Sequence, residues 1–313
     1  MSEALALASA LCLALGTMLI GELKGRISLL QLARWQMVAT LAMTGALSVA
    51  VGGWRGLEAW QVGFLAASSL FGIMIATTTY FAAIDAVGSR MTALLFSLTA
   101  PFALLLGYVA LGETISGVQG FGIALVLVGV VLAIGVPRRF LKRGAKAPPM
   151  PALAPATLPL AVAPAPPVTG PPWRGIALGT VTAFGQALGS LFARPAMAAG
   201  VEPFTAMAVR SGLAALFFLA LLALPVGRAG AARLSPGAMG LAVASAFIGT
   251  TLGMSLLMAA LTTGDVGVVS TLASTTPVLI LPLVWLREKR RPPAPAWAGA
   301  VLAIAGTALI GLG

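Results

Sequence analysis

Two arginines stand inside apolar stretches of this sequence, Arg34 in "QLARWQ" and Arg210 in "AMAVRSG". An arginine well inside a membrane helix costs about 2.5–3.5 kcal/mol on insertion scales, so its side chain is expected to face a cavity or a partner. The planar fork of donors suits a carboxylate or a phosphate, which predicts an anion anchor. The structural alternative is snorkelling to lipid headgroups, or capping of a neighbouring helix end.

Neutral polar side chains form a second group of candidates. In an apolar environment they are expected to bind a polar solute through hydrogen bonds, although Ser and Thr also bond carbonyls of their own helix or join helices together. The candidates are Gln186, Tyr80, Thr78, Ser97, Thr251 and Thr275. Pro101 and Pro277 follow such hydroxyls and each removes one helical hydrogen bond, which predicts a kink that is either a hinge or a static bend.

The elements that carry these residues are more apolar than a soluble domain. Of the 313 residues, 59% are hydrophobic and 9% are charged, whereas soluble domains are about 25% charged. A helix that spans a bilayer needs about 20 apolar residues. Such stretches predict an all-α polytopic membrane protein with ten transmembrane helices, at 4–22, 29–51, 60–83, 89–110, 117–136, 173–194, 203–225, 238–261, 266–286 and 296–313.

The composition also excludes several classes of protein. One Cys and no His remove disulfide frameworks and the common zinc sites, so neither a metal nor another cofactor is expected. Without His or paired Asp inside a helix, an intramembrane enzyme is not expected either. The net charge of +11 is interpreted as loop residues that orient the chain in a membrane. The expected partners are therefore the lipid bilayer and a small-molecule substrate, with no nucleic acid.

The second half of the chain repeats the first at an offset of 177 residues. Small and polar residues coincide in order: Gly240 with Gly63, Ser245 with Ser68, Gly249 with Gly72, Gly299 with Gly122 and Gly306 with Gly129. The repeat predicts two five-helix units, 1–136 and 173–313, joined by a basic linker at 137–172 that holds 11 of the 21 prolines. Because five is odd, the second unit enters the membrane from the opposite side, and the repeats are predicted to be inverted.

The positive charges predict the orientation of these repeats. They lie in or beside odd-numbered loops, at Lys24, Arg26, Arg90, 138–146, Arg174, Arg228, Arg233 and 287–291, whereas the even-numbered loops have only Arg55 and Arg194. Loops rich in Lys and Arg stay in the cytoplasm. We therefore expect a multi-pass protein of a bacterial-type inner membrane, with both termini outside.

The order of these residues resembles the EamA-type branch of the drug/metabolite transporter superfamily. The matching residues are Arg34, Pro101, Leu111-Gly112-Glu113, Gly122 and Gly129, and in the second copy Arg210, Pro277, Leu286-Arg287-Glu288, Gly299 and Gly306. The resemblance implies a secondary transporter without an ATP-binding module, with its substrate near the bilayer midplane between inverted repeats. It also implies that the first four helices of each half line the cavity. The fifth helices would be peripheral, or would form contacts in a homodimer.

The carboxylates bear on how such a transporter is driven. The sequence places Glu22 and Asp85 at helix ends, and Glu113, Glu202, Asp265 and Glu288 in or beside loops. Without an acid in mid-membrane, proton-driven export of cationic drugs is disfavoured. We expect an exporter or exchanger of a small polar metabolite, such as an amino acid or a related anionic or zwitterionic solute, working by alternating access. The alternative is a non-transporting membrane protein, either an assembly factor or a lipid scramblase.

Overall fold

The computed structural model describes residues 1–23, 27–134, 172–224, 235–288 and 294–312. All regular structure in these ranges is helical. The predicted linker lies outside the described residues apart from Pro172, and so do Lys24, Arg26, Arg228 and Arg233.

In the first half, α1 is Ser2–Gly21, α2 is Leu29–Val51 and α3 is Ala59–Val87. Helix α4 has two parts, Ser89–Phe96 and Thr99–Leu106, and continues in π-helical form over Gly107–Leu111. Helix α5 is Gly117–Ile134. In the second half, α6 is Pro172–Ala198, α7 is Pro203–Ala220 and α8 is Pro236–Ala260. Helix α9 has two parts, Val266–Ala273 and Thr276–Glu288, and α10 is Ala294–Leu312. Helices α3 and α8 each contain a π-helical segment, Leu70–Ile75 and Ala246–Gly253.

Seven helices in the described ranges are long and apolar enough to cross a membrane, namely α1, α3, α4, α6, α7, α8 and α9. Helices α5 and α10 are apolar but shorter by the same criterion. Helix α2 carries Gln31, Arg34 and Gln36 near its start, which lower its hydropathy. The structure thus confirms a polytopic helical membrane protein, and crossing by all ten predicted helices stays a prediction.

Close glycine contacts join the two halves in reciprocal pairs. A Cβ atom built on Gly16 of α1 would lie 2.5 Å from the Cα of Gly249 in α8. The same construction on Gly189 of α6 gives 2.5 Å to the Cα of Gly72 in α3. Gly249 is the repeat equivalent of Gly72, so one crossing recurs with the roles of the halves exchanged. Small residues let two backbones approach this closely in a membrane.

Equivalent helices of the two halves run in opposite directions where they touch. Between α2 and α7, the Ser48 hydroxyl lies 2.7 Å from that of Thr205, and further along Leu41 packs beside Gly212. As residue numbers fall in α2 they rise in α7, so these helices are antiparallel. Helices α5 and α10 are antiparallel too, since Gly122 contacts Gly306 and Gly129 contacts Gly299.

The second, fourth, sixth and eighth connections gather at one end of the bundle, which we call the even end. These connections are residues 52–58, 112–116, 199–202 and 261–265. Gly53 lies against Glu202, and Gly264 lies against Ser2 at the start of α1. The Glu113 carboxylate accepts a hydrogen bond from the backbone of Val266. The even end therefore also contains the N-terminus of α1.

Candidate substrate site

A central cavity of about 40 Å³ lies between the two halves. The first half contributes Leu13, Ala93, Phe96, Ser97, Thr99 and Val130, and the second contributes Gln186, Ser190, Leu257, Ser270, Ala273, Ser274, Thr276 and Pro277. Among these residues none is charged, and half carry a hydroxyl or an amide. A water molecule needs about 10–15 Å³ by a comparable measure, whereas small-molecule sites measure about 300–1,000 Å³. The cavity in this conformation is therefore too small for a metabolite.

Gln186 is the most polar side chain in the cavity wall. It lies mid-way along α6, is 4% exposed, and its Oε1 atom has no hydrogen-bond partner within the described structure. A buried acceptor without a partner costs about 1–3 kcal/mol. The amide is therefore set to accept a hydrogen bond from a solute that enters the cavity.

Helices α4 and α9 break where they border the cavity. The interruption in α4 falls between Phe96 and Thr99, just before Pro101, and that in α9 falls between Ala273 and Thr276, just before Pro277. Proline cannot donate to the carbonyl four residues earlier, which contributes to these breaks, although α9 continues without a break through Pro282. A helix interruption thus precedes each of these two prolines, and a hinge motion stays a prediction.

Hydroxyls around these breaks bond the helix backbone. Ser97 donates to the carbonyl of Leu94 at 2.7 Å, Thr275 donates to Leu272 at 2.7 Å, and Thr276 donates to Ala273 at 2.8 Å. The last of these bonds occupies the carbonyl that Pro277 leaves free. Of the two predicted hydroxyls, Ser97 lines the cavity and Thr275 lies beside it.

Tyr80 lies behind the cavity wall. Its side chain is fully buried, and its hydroxyl has no hydrogen-bond partner in the described ranges. The ring of Phe96, which does line the cavity, meets the Tyr80 ring edge to face with 6.2 Å between centroids. Tyr80 therefore contacts the cavity wall without being part of it.

Thr78 and Thr251 lie elsewhere in the bundle. Thr78 is exposed and donates to the carbonyl of Met74 in its own helix at 2.7 Å. Thr251 is fully buried between α8 and α2, 3.4 Å from the hydroxyl of Thr40. Thr78 thus bonds its own helix, Thr251 lies at a contact between two helices, and neither borders the cavity.

The two arginines occupy different environments. Arg210 is 1% exposed, its Nη1 atom lies 3.1 Å from the sulfur of Met258, and its Nε atom has no partner within the described ranges. Arg34 is half-buried in α2. Neither lines the cavity, so their role as anion anchors stays a prediction. The thioether is only a weak acceptor, and no described carboxylate pairs with the Arg210 charge.

The sequence did not reveal that the side chain of Glu113 packs against a distant helix. The sequence places it in a loop, yet its side chain is 11% exposed and caps the first residue of α9. Burial raises the pKa of its carboxyl group, and the nearby Asp265 raises it further, while backbone N–H groups and Arg194 act in the opposite direction. The signal in the sequence was the Gly-Glu pair after α4, but its partner is 153 residues away.

Comparisons with known proteins agree with this arrangement. A family model described as the EamA-like transporter family matches residues 1–135 and 173–312. A solved crystal structure has the same fold, with a TM-score of 0.74 at 18% identity over 99% of this chain and 96% of that one. A comparison with curated protein sequences gives no match. Because the family model covers both halves, the chain belongs to the EamA-like transporter family.

Proposed function

We propose that this protein is a secondary transporter that exports or exchanges a small polar metabolite, such as an amino acid or a related zwitterionic solute. Membership of a transporter family supports the reaction class. The single observation that carries the choice of solute is the unpartnered Gln186 amide in a cavity lined by hydroxyls. Uncharged donors and acceptors recognise a polar solute by hydrogen bonds, and the described lining favours a neutral or zwitterionic solute over a strongly anionic one.

Alternating access by two inverted halves is the mechanism that we propose. The halves are 1–136 and 173–313, with 137–172 as the linker. The antiparallel contacts of α2 with α7 and of α5 with α10 support inversion, since equivalent helices of inverted repeats point in opposite directions. Together with the charge asymmetry of the loops, they support ten crossings, cytoplasmic odd-numbered loops and termini outside an inner membrane.

The small volume of the cavity implies that helices move when solute binds. A volume of about 40 Å³ is several-fold below that of ordinary small-molecule sites. The breaks in α4 and α9 lie at the cavity and lack part of the helical hydrogen bonding. We propose that these breaks, at Pro101 and Pro277, are the hinges. Arg34 and Arg210 remain proposed anchors for an anionic group in a more open conformation.

Gln186→Leu tests the site. Purified protein is screened by thermal shift against amino acids, nucleosides and sugars, and the solute that gives the largest shift is then followed into liposomes. Loss of one buried hydrogen bond of about 1–3 kcal/mol is expected to weaken transport roughly tenfold or more at low solute concentration. Because the substitution also removes an unsatisfied acceptor, thermal stability without solute is expected to be unchanged or higher.

The matched control is Thr78→Ala, which removes an exposed hydroxyl outside the cavity. We expect its transport to equal that of the native protein. Equal transport by Gln186→Leu and native protein, at equal amounts in the liposomes, would contradict the proposed site. If no solute in the screen is transported while lipid is exchanged between leaflets, the scramblase alternative is supported instead.

A further inference from the structure

Glu113 is folded back against the helix that precedes it. Helix α4 ends at Leu111 and is followed by Gly112, whose φ of 67° is the left-handed conformation that favours glycine. The amide of Glu113 then donates to the carbonyl of Gly107 at 3.2 Å. A methyl group at Gly107 would collide with the Glu113 carboxylate. The Gly-Glu pair and Gly107 thus turn an acidic side chain inward, away from the loop in which the sequence places it.

The Glu113 carboxylate connects three helices at the even end. Its two oxygens lie 3.0 and 2.9 Å from the amide nitrogen of Val266, the first residue of α9. Its Oε1 atom is 3.9 Å from Nε of Arg194 in α6, and Arg194 in turn donates to the carbonyl of Thr262 at 3.2 Å. Helices α4, α6 and α9 all contribute side chains to the central cavity. The contacts of Glu113 therefore hold together the even ends of three cavity helices.

The negative charge strengthens this connection. The N-terminus of a helix carries a partial positive charge, so an ionised carboxylate binds there more strongly than a neutral carboxyl group. The attraction between Glu113 and Arg194 also depends on ionisation. Protonation removes both contributions, leaving a neutral acceptor at the start of α9.

The surroundings favour proton uptake by Glu113. Burial raises the pKa of Glu113 first, and Asp265 at the start of α9 adds to the rise, whereas the Val266 amide and Arg194 oppose it. At the start of α1, the amino group of Met1 and the carboxylate of Glu3 pair with each other at 3.2 Å. With a raised pKa, the charged form is lost as the pH falls, nearer to neutrality than for an ordinary glutamate.

A cleft gives protons a route to this carboxylate. It measures about 430 Å³ and is lined by Leu104, Leu105, Tyr108, Glu113, Thr114, Ile115, Asp265 and Gly267. Tyr108 and Leu105 are 65% and 58% exposed, so this cleft opens at the surface of the bundle. Proton uptake requires water to enter this cleft, where hydronium transfers one proton to the Glu113 carboxylate and leaves a water molecule.

We propose that Glu113 is a proton-binding site whose ionised form holds the even end of the central cavity closed and whose protonation releases that end. This proposal rests on the proposed transport function, because the released end of the cavity is taken to admit solute. It places the titratable group at a junction of helices, whereas the sequence shows only an acid in a loop.

Reactivity of a cysteine in the cavity tests the proposal without any substrate. Ser270→Cys, in a Cys12→Ala background, places a thiol in the cavity wall near the start of α9, where the native side chain is 5% exposed. Its reaction rate with a polar maleimide is measured from mildly alkaline to mildly acidic pH. The same thiol in a Glu113→Gln protein supplies the reference, because thiol chemistry itself depends on pH.

Glu113→Gln mimics the protonated carboxyl group. A hydrogen bond to a charged acceptor is stronger than one to a neutral acceptor, so at alkaline pH the Gln protein is expected to react roughly tenfold faster or more. The ratio of the two rates is expected to approach one at acidic pH. A ratio that does not change with pH, or a rate that the Gln substitution leaves unaltered, would overturn the proposal.

Glu202→Gln is the matched control. Glu202 is also a carboxylate at the even end and also caps a helix, but it accepts from Phe204 and Thr205 of its own helix at 2.8 and 2.7 Å. Its neutralisation is expected to leave the cavity thiol unchanged, and acceleration equal to that of Glu113→Gln would refute a specific role for Glu113.

Native Glu113 protein supplies a second measurement if the Gln protein does not fold. The reference is then an exposed thiol in Gly56→Cys, where a side chain meets no neighbour within 4 Å. The cavity thiol is expected to gain reactivity relative to this reference as the pH falls, and a constant ratio would overturn the proposal. Because labelling needs no solute, a pH-dependent ratio in a protein that transports nothing would refute the transport function and leave the proton site standing.

Discussion

The crossing of α1 and α8 can be tested by adding one methyl group at Gly16. A Cβ atom there would lie 2.5 Å from the Cα and 2.9 Å from the amide nitrogen of Gly249. Non-bonded carbon atoms at their best separation are about 3.5–4.0 Å apart, so the helices must separate by about 1 Å. The obstacle is backbone, which cannot rotate away as a side chain does. Overpacking of this kind costs about 1–3 kcal/mol, and we expect Gly16→Ala to destabilise the protein by that amount.

Alanine substitutions at Gly189 and Gly249 allow the cost at Gly16 to be compared with two related sites in the same protein. Gly189→Ala meets the Cα of Gly72 at 2.5 Å and its amide nitrogen at 2.9 Å, the same distances as at Gly16. At Gly249 the added atom lies 3.2 Å from Gly16, so less movement is required. We therefore expect equal losses for Gly16→Ala and Gly189→Ala, and a smaller loss for Gly249→Ala.

Gly63→Ala is the control for helix propensity. Gly63 lies within α3, and a Cβ atom there meets no neighbour within 4 Å. Alanine favours a helix over glycine by about 0.8–1.0 kcal/mol, so this variant is expected to be as stable as the native protein or more stable. Thermal unfolding in detergent, followed by tryptophan fluorescence, measures all four variants. A transition temperature of Gly16→Ala at or above that of Gly63→Ala would refute the close crossing, and greater damage from Gly249→Ala would refute its geometry.

Two further predictions concern orientation and motion. Thr114→Cys and Lys289→Cys, each in a Cys12→Ala background, are expected to react with an impermeant maleimide from opposite faces of the membrane, since they belong to an even-numbered and an odd-numbered loop; reaction from the same face would contradict inverted repeats. Pro277→Ala restores a donor to the Ala273 carbonyl and is expected to slow liposome transport without loss of thermal stability, whereas unchanged transport would make the break a static kink.

The helical framework could be predicted from the sequence because its causes are local. Apolar length predicts a span, and the breaks in α4 and α9 precede Pro101 and Pro277, whereas the helices continue through Pro195 and Pro282. The order of glycines also indicated a duplication, and Gly72 and Gly249 do lie at equivalent crossings. The π-helical segment that contains each of these glycines has no comparable signal, because it depends on how two helices pack.

The role of Glu113 could not be predicted because it depends on a distant contact. Nothing near Glu113 in the sequence indicates Val266, and only the packing of α4 against α9 brings them together.

The residues of the candidate site could be predicted only in part, because they too depend on how the helices pack. Gln186 and Ser97 face the cavity, whereas Thr78, two residues before Tyr80 in the same helix, points away from it. Polarity within a span selects candidates, and the rotation of the helix decides which of them reach a solute.

Arg34 and Arg210 show that duplication of the backbone does not duplicate the environment of a side chain. Arg210 packs against Met258, whereas the residue 177 positions before Met258 is Phe81, which offers no sulfur to Arg34. In a transporter with inverted repeats, exchanging the conformations of the two halves interconverts the two open states. Under the proposed alternating access, the sequence difference between Met258 and Phe81 makes the two open states chemically inequivalent, so nothing requires their free energies to be equal.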